Sequence, residues 1–200
     1  MEADWAAEIG SELPEIDASW DGFIDLRGTT EVFEDAVQAI PEAVRYPAMA
    51  RALVALNSEG TRLFTSKSDV WNVAAGEIDP YEFAAMPGDA VCGVASYIDC
   101  IEIDKARFES FEWNERQAQQ IVAELRGIAL DNGRVDLVIR AARAGGREGY
   151  GITFYAAGCG GNAAAALPAW ERVLELAVLA TIRTIEKDGD RSTPSAHSGE

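Results

Sequence analysis

Read from its amino end, the chain changes its hydrophobic period twice. Residues 1–28 show no sustained period. They nevertheless carry Trp5, Ile9, Leu13, Ile16, Trp20, Phe23, Ile24 and Leu26, too many apolar groups for a free tail. The stretch reads as an acidic arm packed on the body, partly as short helix, with a break at Pro14. From Glu31 to Ile40 the apolar residues Val32, Phe33, Ala36, Val37 and Ile40 recur on one helical face. Thr29 or Thr30 is suited to cap that helix, and Glu31 to the positive end of its dipole. Pro41 ends it, because the residue before a proline is pushed out of helical backbone. Pro47 opens the next helix, which runs to Asn57.

Beyond residue 60 the period becomes two. Strands are predicted over 61–73, 90–104, 134–142 and 150–157. A loop holding Pro80, Pro87 and Gly88 joins the first pair, and the glycine-rich run 144–149 joins the second as a hairpin. A helix follows each pair. The first, over 111–127, turns Trp113, Ala118, Ile121, Val122 and Leu125 inward; the second, over 162–187, does so with Leu167, Trp170, Leu174, Ala177 and Val178. Asn162 is a good cap for the second. Residues 188–200 are small and polar and are expected to be disordered.

The order ββα-ββα, over 61–127 and 134–187, predicts an internal duplication. The expected fold is α+β: duplicated ββα units forming a four-stranded antiparallel sheet with helices on one face, preceded by a helical segment over 29–57. That is a ferredoxin-like layering in permuted order, a likeness of shape that carries no function. Residues 29–187 form one domain in this reading.

Alternation along the strands assigns faces. Val70, Val94, Ile98, Leu137, Ile139, Ile152 and Phe154 point toward the helices. The other face then presents Asp69, Trp71, Tyr97, Asp99, Asp136, Val138, Arg140, Thr153 and Tyr155. An exposed face bearing a tryptophan and two tyrosines calls for a partner. Either residues 1–57 fold over it as a second core layer, or a ligand lies between that cover and the sheet. Aromatic rings beside carboxylates suit a small cationic molecule. The candidate binding residues are therefore Asp69, Trp71, Tyr97, Asp99, Asp136, Arg140 and Tyr155.

A second candidate is the turn Gly158-Cys159-Gly160-Gly161 at the start of the last helix. Free backbone N–H groups there would hold an anion, and a thiol there would have a lowered pKa. The run lacks the lysine of a phosphate-binding loop, so a turn that needs glycines competes with this reading. Paired acids are a third candidate: Asp99, Glu102 and Asp104, with Glu77 and Asp79 in the preceding loop. On a strand Glu102 and Asp104 share a face and Asp99 takes the other, which favours a solvated strand end.

Charge and rare residues narrow the function classes. The net charge is −17, and residues 1–42 hold twelve acids against Arg27 alone, which is −11. Direct electrostatic binding of nucleic acid or of an anionic membrane is disfavoured, whereas a basic protein is a plausible partner. No apolar run spans a membrane, and the first residues lack the basic and apolar regions of a signal peptide. Three cysteines without C-x-x-C spacing suit reduced thiols in a cytoplasm. The single histidine, His197, falls in the polar tail, so histidine-based triads and histidine-ligated metals are improbable and no cofactor or metal is expected. The leading reading is a non-catalytic binding or interaction module with an aromatic-acidic sheet face. Two alternatives stand beside it: an acidic inhibitor or toxin-neutralising protein that covers a basic surface, and an enzyme working through carboxylates or Cys159.

Overall fold

The computed structural model describes residues 1–10, 14–18, 20–27, 30–58 and 60–191. Thr29, one of the two expected caps, and His197 lie outside them. The strands are β1 (Glu2–Glu8), β2 (Ile16–Ala18), β3 (Leu63–Ala74), β4 (Cys92–Glu102), β5 (Gly133–Ala144) and β6 (Arg147–Gly160). The helices are α1 (Thr30–Gln38), α2 (Pro41–Arg45), α3 (Pro47–Leu56), α4 (Lys105–Phe108), α5 (Phe111–Arg126) and α6 (Ala163–Arg191). No helix among the described residues is long and apolar enough to cross a membrane.

The fold is α+β around an open, mixed sheet in the order β1-β5-β6-β4-β3. The pairs β3–β4, β4–β6 and β5–β6 are antiparallel. The sheet is nevertheless wider than the expected four antiparallel strands. The arm is not irregular or helical there: β1 and β2 both add to β5 in parallel. Ion pairs fasten it, Asp4 to Arg126, Glu8 and Glu15 to Arg140, and Asp17 to Arg143. The hairpin between β5 and β6 turns at Gly145 and Gly146, whose φ values of 57° and 76° explain why glycine stands at both positions. Toward its end the chain departs from expectation again, since α6 continues to Arg191.

One face of the sheet carries the main core. Val94, Ile98, Leu137, Ile139, Ile152 and Phe154 lie there as the alternation predicted, against Ile121, Leu125, Trp170 and Leu174 of α5 and α6. Met49, Leu53 and Leu56 of α3 join the same cluster. Tyr46, at the start of α3, meets Trp170 edge-on at 5.6 Å. The helices before residue 57 therefore extend the existing helical layer instead of covering the opposite face. The link from α3 into β3 is made by Asn57. Its side chain accepts from the Thr65 N–H at 3.0 Å and donates to Thr65 Oγ1 and the Leu53 carbonyl at 2.9 and 2.8 Å. Asn57→Ala strips the Thr65 N–H and Oγ1 of this partner, while the Leu53 carbonyl keeps the backbone N–H of residue 57, at a cost of about 2 kcal/mol. Urea unfolding should show a lower midpoint with an unchanged slope.

The opposite face is closed at its two ends and open in the middle. At one end β2 lies on β5 and also reaches β3, where Ser66 Oγ donates to the Asp17 carbonyl at 2.5 Å. The sheet margins are thereby drawn together around a small core of Ile16, Phe64, Ile101, Phe108 and Ala142. At the other end the β3–β4 connection folds back and seats Ile78, Phe83 and Ala90 with Cys159.

Candidate functional site

Between these caps runs one row of cross-strand neighbours: Asp69, Tyr97, Tyr155, Asp136 and Asp4, from β3, β4, β6, β5 and β1. Trp71 stands two residues along β3. The ring centroids of Trp71 and Tyr97 are 6.3 Å apart, and those of Tyr97 and Tyr155 6.1 Å apart, both tilted. These spacings suit weakly attractive ring pairs. Trp71 remains 39% exposed, which is unusual for an indole on a sheet with no partner. The structure thus assembles the core of the expected face.

The polar residues of that face divide by environment. Asp69 is exposed and has no ion-pair partner among the described residues. Asp136 is held by Arg134, which also reaches Glu82 at 3.3 Å. Arg140 is engaged by Glu8 and Glu15 and lies 5.9 Å from the Tyr155 ring centroid. Asp136 and Arg140 are therefore largely satisfied by the protein itself. Asp99 is buried and accepts from Thr153 Oγ1 at 2.6 Å. Burial raises its pKa, and the Thr153 hydrogen bond, Lys67 and Arg140 only partly offset this.

Tyr97 is the hinge of the site. Its hydroxyl pKa is raised by burial and then by the negative fields of Asp99, Asp69, Tyr155 and Glu42. It also lines a cavity of about 410 Å³ at the β3 edge. The apolar wall there comes from Trp20, Ile24, Leu26, Ile40 and Leu53, and the polar rim from Ser66, Lys67, Ser68 and Glu42. Cavities of about 300–1,000 Å³ with apolar walls and a few polar groups are the usual form of a small-molecule site. The strand makes room for it: pairing with β4 slips between Thr65 and Ser68, and this bulge sets Ser66 and Lys67 out of the ladder. Sequence reasoning missed these lining residues. A run of polar residues, Thr65-Ser66-Lys67-Ser68, inside an otherwise alternating strand was the only local signal of the bulge.

The other sequence candidates separate. Cys159 is fully buried, and burial, then Asp89 and Cys92, push its thiol pKa up, contrary to the lowered value expected at a helix start. Gly158 and Gly160 belong to β6 and lie against the α6 backbone, and an added Cβ on Gly161 would sit 3.2 Å from the Gly88 carbonyl. The glycines of this turn therefore serve close packing. Asp99 is buried on the aromatic side of the sheet beside Thr153, while Glu102 is enclosed on the helical side. Asp104 caps α4 by accepting from the Arg107 N–H at 3.1 Å. Glu77 and Asp79 accept from the N–H groups of Ala74 and Tyr81. These acids do not converge on one reacting position. Comparison of the chain with protein-family models, with curated proteins and with solved structures gives no match.

Proposed function

We propose that this protein is a non-catalytic binding module whose aromatic-acidic sheet face, centred on Tyr97, takes a small molecule. The observation that carries this reading is the row Trp71–Tyr97–Tyr155, left open between two capped ends of the sheet and continuous through Tyr97 with the edge cavity. A ring system of this size exposed without a partner is surface that a ligand would desolvate. A cytoplasmic setting suits the three unpaired thiols. The order β3-β4-α5 and β5-β6-α6, with β4 and β6 adjacent, supports descent from one duplicated ββα unit.

A thermal-shift screen of small cationic and aromatic metabolites is expected to return stabilising compounds. Trp71→Ala and Tyr155→Ala should then each weaken a hit about tenfold, the scale of a lost cation–π or ring contact. Hits that bind both variants as they bind the parent protein would show that the face is structural. The reading as an acidic inhibitor of a basic protein draws on the charge of −11 in residues 1–42. It has less support, because Asp4, Glu8, Glu15, Asp17 and Asp25 are already paired with arginines of this same chain.

A further inference from the structure

The site around Tyr97 has two unlike halves, and together they define one kind of ligand. The cavity half is apolar and closed on several sides by Ile24, Leu26, Ile40 and Leu53. Leu26 and Leu53 are buried, and Ile24 and Ile40 half-buried, against the main core as well, so the wall is firm. The sheet half offers ring faces from Trp71, Tyr97 and Tyr155. Acids flank both halves: Asp69 stands opposite Tyr97 on β3, and Glu42 stands on the cavity rim. Neither has an ion-pair partner among the described residues. Among the described residues the base on the rim is Lys67, which lies in the field of buried Asp99. Arg140, across the sheet, is already engaged by two glutamates.

Resting on the binding reading above, we infer that the ligand class is an amphipathic monocation: a protonated amine placed between Asp69, Glu42 and the Tyr97 ring, with its aromatic or aliphatic body in the edge cavity. The acidic groups felt by the Tyr97 hydroxyl agree with this. A carboxylate-bearing ligand of the same shape would meet these acids with like charge. A basic protein surface would reach the exposed Trp71 but could not fill a recess walled by Ile24, Leu26 and Leu53.

The test uses three probes with one apolar body: phenethylamine, phenethyl alcohol and phenylacetate, titrated into the full chain by calorimetry at neutral pH. The amine should bind about tenfold more tightly than the alcohol, and the carboxylate more weakly than either. Asp69→Asn and Glu42→Gln, both at sites outside the core, should each cut the amine's advantage about fivefold and leave the alcohol unchanged. Equal affinity for all three probes would overturn the cation assignment while leaving the binding reading intact. Tighter binding of phenylacetate would overturn it as well and pass the decisive role to Lys67. Failure of all three probes, in a protein that the metabolite screen does stabilise, would overturn the assignment of the cavity to the ligand body. Failure of the screen itself would instead sink the binding reading.

Discussion

Gly158→Ala should lower the stability of this protein by about 3 kcal/mol or more, at the upper end of what overpacking costs. The reason is the contact between β6 and α6. A Cβ at this position would sit 2.1 Å from the Trp170 nitrogen and 2.6 Å from both the Trp170 Cα and the Ala169 carbonyl carbon. All three are backbone atoms, so no side chain can swing aside. The helix has to lift from the sheet. Trp170 is fully buried, and its Nε1–H donates to Ser96 Oγ at 2.9 Å. Lifting α6 opens this hydrogen bond and the packing around the largest buried side chain in the core. Gly88→Ala is the matched control, since nothing lies within 4 Å of the Cβ it would add. It should change stability by no more than about 0.5 kcal/mol. Urea unfolding of the two variants beside the parent protein decides the matter, and equal midpoints would refute a tight β6–α6 contact.

Glu102→Gln should stabilise the protein by a margin that opens above about pH 4.5 and is complete above 7. The Glu102 side chain is fully enclosed between β4, α4 and α5. Its Oε1 accepts from the Asp104 N–H at 3.2 Å. Its Oε2 has no hydrogen-bond partner, and Arg107 Nη1, equally enclosed and without one, stops 3.8 Å away. Burial pushes the pKa from 4.5 to about 7, and the Asp104 hydrogen bond, Arg107 and Arg62 recover only part of the lost hydration. Between those two pH values the folded protein keeps a proton that the unfolded chain releases. The stability this provides is complete below pH 4.5, declines as pH rises through 7, and is absent above. The full span is about 3 kcal/mol. Glutamine imitates the neutral acid at every pH. The variant should therefore match the parent near pH 4 and exceed its stability at pH 8 by up to about 3 kcal/mol. A variant that is no more stable than the parent at pH 8 would mean that Arg107 holds the ionised carboxylate better than the 3.8 Å gap allows.

Much of the architecture was legible because it is local. Period and punctuation placed β3, β4, β5 and β6 to within a few residues. Pro41 marked the end of α1, which stops at Gln38, though not the start of α2; Pro47 marked the start of α3, and Asn162 the cap of α6, where it accepts from the Ala165 N–H at 3.1 Å. Alternation also sorted Ile98, Leu137 and Phe154 from Tyr97, Asp136 and Tyr155, because side chains on a strand must change faces at every residue. The aromatic face was visible for the same reason.

What the chain alone determined, then, was which residues form strands and helices and which side of each strand is apolar. What only the tertiary structure decided was where distant segments meet. The β1 sequence, Glu2-Ala3-Asp4-Trp5-Ala6-Ala7-Glu8, has few strand-forming side chains and extends only because β5, more than a hundred residues away, offers its edge. Nothing local could decide whether the helices before residue 57 cover the aromatic face or widen the helical layer. That choice was settled by Met49, Leu53 and Leu56 finding burial against α6. The cavity depends on three such non-local events: the bulge in β3, the arm crossing its edge, and the α1–α2 turn brought alongside. Each is a contact between elements. Hydrophobic burial is non-directional, so a sequence period states that a face must be covered but not by which neighbour.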